Sequence, residues 1–117
     1  MPSRLDVDAH LPLKPLVFQI LLALADGDRH GWSLVRDVQQ RGGFARIMPG
    51  NFYRTLRGML ADGLIDESTP TAKTDGDERR RYFTITPLGD AVARAEARRL
   101  EVAVSEARSK RLLAKRG

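Results

Sequence analysis

Hydrophobic positions along the chain change their period several times, and each period predicts an element. Residues 1–11 hold no apolar stretch and read as a loose polar arm. Pro12 and Pro15 suit the first turn of a helix. Leu16 to Ala25, interrupted only by Gln19, is apolar nearly all round, so this helix is expected to be covered from several sides. Asp26-Gly27-Asp28 ends it. A second helix starts at His30-Gly31, carries Trp32, Leu34, Val35 and Val38 at roughly helical spacing, and stops at Gly42-Gly43. Phe44 to Met48 is a short connector with room for a one-residue bridge to a sheet. Pro49-Gly50-Asn51 opens a third helix with Phe52, Leu56, Met59 and Leu60 on one face, and Asp62-Gly63 closes it. Leu64 to Ser68 reads as a strand, Thr69 to Glu78 as a polar loop, and Arg80 to Thr86 as the returning strand. Pro87 opens a last helix that runs to about Ala114.

The predicted fold is mainly α with a small two-stranded β-hairpin, an α+β class. Helix, helix, helix, hairpin and long helix is the order of a winged helix-turn-helix with a C-terminal helix added. The expected organisation is a flexible arm over 1–11, a winged helix-turn-helix over 12–86, and a dimerisation helix with a basic end over 87–117. A chain of 117 residues suffices for one such domain. Absence of cysteine removes disulfides, thiolate metal sites and a thiol nucleophile. His10 and His30 are the only imidazoles, so no metal site and no cofactor are expected. No secretory signal is visible, and the longest apolar run is too short to cross a bilayer. A cytoplasmic domain without membrane contact is the expectation.

The formal net charge of +5 at first suggests nucleic acid. Its location changes that inference. Residues 1–93 are balanced, and the whole excess lies in 94–117, from Arg94 to Arg116. Two local features are more informative. From Val38 to Ala61 no acid occurs, while Arg41, Arg46, Arg54 and Arg57 do. Arg79, Arg80 and Arg81 then follow directly on Asp75, Asp77 and Glu78.

These features nominate DNA-binding residues. An α-helix fits the major groove with its first residues at base edges. On the third helix, Asn51 can pair with adenine and Arg54 with guanine. Arg57, about a turn on, reaches base or phosphate, and Tyr53 can donate to a phosphate. The bland alternative is a solvated face with Asn51 as a helix cap. In the hairpin, Lys73 near the tip and Arg80 and Arg81 at the base can neutralise phosphates or enter the minor groove, unless the neighbouring acids already pair with them. Tyr82 and Phe83 point to opposite faces, one of them inward. Trp32 reads as a core residue, and His30 as a residue that caps or orients the second helix. The last helix bears a heptad-like stripe of Ala93, Ala97, Leu100, Val104 and Ala107, continued by Arg111 and Ala114. Self-association is the simplest way to cover it, with Leu16 and Ile20 of the apolar first helix contributing.

At these residues the chain resembles the PadR family of bacterial transcriptional regulators. The matching stretches are Ile20-Leu21-Leu22-Ala23-Leu24 through His30-Gly31-Trp32, then Pro49-Gly50-Asn51-Phe52-Tyr53-Arg54-Thr55-Leu56, then Asp62-Gly63-Leu64-Ile65, then Arg80-Arg81-Tyr82-Phe83-Thr84-Ile85-Thr86 with Gly89. The resemblance implies a winged helix-turn-helix homodimer that represses transcription from operator DNA. It also implies a single dimerising terminal helix, as in the short subgroup. Tyr53 and Arg54 fall on the family's Tyr and following basic position, and Arg80 and Arg81 on its basic wing motif. Asn51 stands where Ser or Thr is usual, Phe52 where an aliphatic is usual, and Trp32 where Tyr is usual. Some members bind aromatic effectors beside an aromatic of the terminal helix. Residues 88–117 contain none here, which leaves Trp32 and Phe18 as the candidate replacements.

Two other functions compete with this reading. A winged helix that binds protein instead of DNA would use the acids beside the wing arginines. An enzyme is disfavoured, since the sequence offers no histidine–carboxylate cluster and no phosphate loop.

Overall fold

A computed structural model of the chain describes residues 2–41, 49–68 and 81–114. The elements run α1 (Arg4–Asp8), α2 (Pro15–Leu24), β1 (Arg29–His30), α3 (Gly31–Arg41), α4 (Pro49–Ala61), β2 (Ile65–Ser68), β3 (Tyr82–Ile85) and α5 (Pro87–Ser109). The sheet is antiparallel in the order β1-β3-β2. The expected hairpin is therefore present as β2 and β3, but a third strand flanks it. Arg29 pairs with Phe83 and His30 with Tyr82. Two residues are too few to show an alternating pattern, and the expectation had folded His30 into the helix that follows.

The core is built where the periodicity places it. Ile20, Leu21, Ala23 and Leu24 of α2, Leu34 and Val38 of α3, and Phe52, Leu56 and Met59 of α4 are buried together with Leu64, Ile65, Phe83 and Val92. α2 touches α3, α4, α5 and β3, which accounts for its all-round apolar composition. This corrects one expectation. Ile20, assigned to the dimer contact, has no exposed surface in its own protomer and is a core residue. Leu16 is half-buried and packs against the same core.

The first eleven residues are also more ordered than a loose arm. Ser3 accepts from the Asp6 amide and Asp6 accepts from the Ser3 amide, a reciprocal capping box that starts α1. Val7 then buries itself, and α1 lies against α5. Within α1 charged residues outnumber apolar ones, so composition hides a helix that is held by a single inward valine and its cap.

Two helix ends use one device. Gly63, at φ +78, follows α4; its amide donates to Leu60 and the Leu64 amide to Met59. α5 ends in the same paired bonds, Arg111 to Arg108 and Leu112 to Ala107, with Arg111 at φ 63. The helix thus stops at Ser109, short of the expected Ala114.

α5 is rooted in the domain by Thr86. Its hydroxyl donates to the Gly63 carbonyl at 2.6 Å and accepts from the Gly89 amide at 3.0 Å, capping the helix. The Thr86 amide donates to the Leu64 carbonyl at 3.2 Å. Gly89, Val92 and Glu96 form the face that α5 turns to its own domain.

Glu96 is an unexpected member of that face, being only 2% exposed. Arg99 donates to both its oxygens, at 2.7 and 2.8 Å. The Leu13 backbone amide, before α2, is close enough to help hold the carboxylate in its charged form. Hydrogen bonding from Arg99 holds this carboxyl below its usual range, against the opposing effect of burial. The folded protein therefore keeps Glu96 ionised more firmly than the unfolded chain does. That contribution is complete above the ordinary carboxyl value and drains away as pH falls through the lower, folded value. We expect Glu96→Gln to cost about 1–2 kcal/mol at neutral pH, by loss of charge-assisted bonds. Urea unfolding of both proteins should show the gap closing towards pH 3, roughly below the carboxylate range. A gap independent of pH would contradict this account.

Candidate nucleic-acid interface

α4 separates its residues as the sequence pattern requires. Phe52, Leu56 and Met59 face the core, and Asn51, Tyr53, Arg54 and Arg57 are exposed. Asn51 lies inside α4, which begins at Pro49, so it is not a cap. Its backbone carbonyl accepts the Thr55 hydroxyl at 2.9 Å, which occupies that hydroxyl and leaves the Asn51 amide free. Among the described residues, the side chains of Asn51, Arg54 and Arg57 make no hydrogen bond or ion pair. Elsewhere Arg41 is held by Asp37, Arg94 by Asp90 and Arg99 by Glu96. α4 thus presents unpaired donors and itself contains no carboxylate.

Neighbouring elements fix this face. The Tyr53 ring stands edge-on to Phe52, with centroids 5.6 Å apart. It also covers the start of α3: a β-carbon at Gly31 would lie 3.6 Å from Tyr53 Cε1 and 3.7 Å from its hydroxyl. The Gly31 amide donates to the Arg81 carbonyl at 3.1 Å, tying α3 to the start of β3. His30 reinforces the joint. Its Nδ1 accepts the Ser33 amide at 3.2 Å, and its ring meets Tyr82 edge-on at 5.6 Å. His30 therefore caps and orients α3, as expected. Arg29 adds a further anchor, donating to the Ala23 carbonyl at 3.0 Å and reaching Ser33 at 3.4 Å.

Phe83 is the inward residue of the strand pair, and Tyr82 is half-buried on the other face. Arg81 is exposed at the strand's foot, and its guanidinium lies 3.2 Å from Glu67 of β2. One acid that pairs with it is thus a strand neighbour, Glu67. Lys73, Arg79 and Arg80 lie outside the described residues, as do the loop acids and the Phe44–Met48 connector.

The structure overturns one expectation here. Trp32 is 55% exposed, not core. A residue two places before Leu34 lies about 200° around a helix from it. With Leu34 and Val38 inward, Trp32 has to face out. That angular test was available in the sequence. Phe18 is half-buried on α2, so the two aromatic effector candidates lie on different helices.

On α5 the heptad-like stripe is graded. Ala93 packs against the core, Leu100 and Ala107 are half-buried, and Ala97 and Val104 are exposed. Residues 101–106 are exposed on every side. Among the described residues no helix is long and apolar enough to cross a membrane, and no acidic or imidazole cluster could hold a metal.

Helices α3 and α4, each packed on α2 and the second with an unpaired polar face, and an antiparallel hairpin beside it define a winged helix-turn-helix. Residues 20–95 match the Transcriptional regulator PadR-like family. The chain belongs to that family, whose members are DNA-binding transcriptional regulators and not enzymes. It is 36% identical over 82 residues to the transcriptional regulator Rv3488 of Mycobacterium tuberculosis, a match covering 70% of this chain and 72% of that protein. Its fold is similar to a PadR family transcription regulator from Clostridium difficile R20291, with a TM-score of 0.71 at 19% identity over 82% of this chain and 97% of the other. A Streptococcus mutans UA159 protein gives 0.67 at 18% identity, over 92% and 98% of the two chains.

Proposed function

We propose that this regulator is a repressor that binds a palindromic operator as a homodimer. The unpaired donor face of α4 carries the reading. Asn51 and Arg54 read base edges in the major groove, while Tyr53 and Arg57 engage the backbone. In this reading Arg81, with Arg80 and Lys73 of the same stretch, would engage flanking phosphates or the minor groove.

Dimerisation through α5 presents two such faces with the two-fold symmetry of a palindrome. In this reading Ala97, Leu100, Val104 and Ala107 meet the partner's equivalents. Val102 and Val104, 65% and 38% exposed, are apolar side chains that a single chain leaves in water.

Binding to a selected duplex should weaken steeply with salt, by about −0.9 in log K per log salt for each phosphate neutralised. A flat salt response, or no DNA binding, would favour the protein-binding alternative instead. Val104→Glu should convert dimer to monomer in sedimentation equilibrium and reduce operator affinity with it. A variant that stays dimeric would move the interface away from this stripe.

A further inference from the structure

Trp32 is the sole tryptophan of the chain, and more than half of it faces solvent. Indoles are commonly sheltered, with the N–H bonded to a partner. Here the indole has no hydrogen-bond partner among the described residues. Arg36 follows one turn later and Gln40 one turn after that, both exposed. Arg36 makes no ion pair among the described residues. The acid of α3, Asp37, is already bound to Arg41 at 2.7 Å. The strip therefore offers an indole N–H, a guanidinium and an amide, and no free carboxylate.

Such a strip complements a partner made of anionic acceptors. Its position selects which one. Gly31, the residue before Trp32, lies against the Tyr53 ring and bonds the Arg81 carbonyl just before β3. The strip thus begins at the edge of the α4 face.

We propose that Trp32 and Arg36 form a second contact to the DNA backbone beside the recognition helix. The indole N–H donates to a phosphate oxygen, and the guanidinium neutralises a phosphate next to it. The contact rests on the operator reading above and adds to it. It would set register and affinity and carry no base preference of its own.

The tryptophan supplies its own reporter. The full chain is titrated with a short duplex recovered from a random pool, while indole emission and its quenching by acrylamide are followed. At saturation the emission should change and the quenching should fall. Trp32→Ala and Trp32→Phe should each weaken binding roughly tenfold, the phenylalanine because it keeps a ring but loses the donor. Arg36→Ala should lower the salt slope by about 0.9. Thermal melts by circular dichroism check that these surface variants fold alike. Unchanged emission of the parent protein on binding, together with parental affinity in all three variants, would overturn this contact while leaving operator binding intact. Emission that responds to protein concentration or to a free aromatic compound, and not to DNA, would overturn it in favour of a second copy or an effector. Failure of the parent protein to bind any duplex would overturn both the contact and the operator reading.

Discussion

Gly89→Ala is expected to destabilise the fold by about 3 kcal/mol or more, the upper range for forcing atoms into a packed interior. A β-carbon at Gly89 would overlap the Leu64 carbonyl oxygen and meet Ile85 Cγ1 at 3.0 Å. Backbone supplies the obstruction, so no side-chain rotation relieves it. The same carbonyl accepts the Thr86 amide, and Thr86 caps α5, so relief of the clash would disturb the helix start as well. Gly58→Ala is the matched control. That position is exposed, with nothing within 4 Å of a new β-carbon. It should gain about 1 kcal/mol from helix propensity. Urea unfolding of the pair should therefore show opposite signs. Equal, small effects would mean that the root of α5 is looser than its hydrogen bonds indicate.

Arg54→Ala should weaken specific operator binding by roughly 1–3 kcal/mol while leaving stability nearly unchanged. Stability is spared because the side chain is exposed and unpaired among the described residues. Affinity suffers because a bidentate contact to guanine has no substitute in alanine. Tyr53→Phe is a gentler companion. It keeps the ring that covers Gly31 and removes only the hydroxyl, so it should cost about 0.5–1.5 kcal/mol of affinity. Fluorescence anisotropy on matched and scrambled duplexes measures both. If Arg54→Ala lost affinity equally for the two duplexes, the residue would be a phosphate contact and not a reader of bases.

Much of this was legible in the chain because local chemistry and tertiary packing agree. The period of Phe52, Leu56 and Met59 places Asn51, Tyr53, Arg54 and Arg57 outside. Asp62-Gly63 announces a stop that the backbone needs at a positive φ. The features that escaped are those with too little pattern or the wrong chemistry for their place. β1 is two residues long and owes its existence to pairing with β3. α1 has one buried side chain. Glu96 is charged yet faces inward, and the two bonds from Arg99 make that tolerable. Ile20 looked spare because the neighbours that enclose it are distant in sequence. The true end of α5 was hidden because Arg111 adopts a backbone conformation usually left to glycine.

The root of α5 has a mechanical meaning. Thr86 and Gly89 lock the helix to the body that carries α4, so helix and recognition face turn together. A helix of 23 residues is about 34 Å long. Rotation by roughly 5° at its far end moves the near end by about 3 Å, close to the 3.4 Å rise of one nucleotide along a DNA strand. In the proposed dimer, α5 would be a lever with its fulcrum at the grip between two copies. A tilt too small to break any contact there would carry the reading face a full base step out of register.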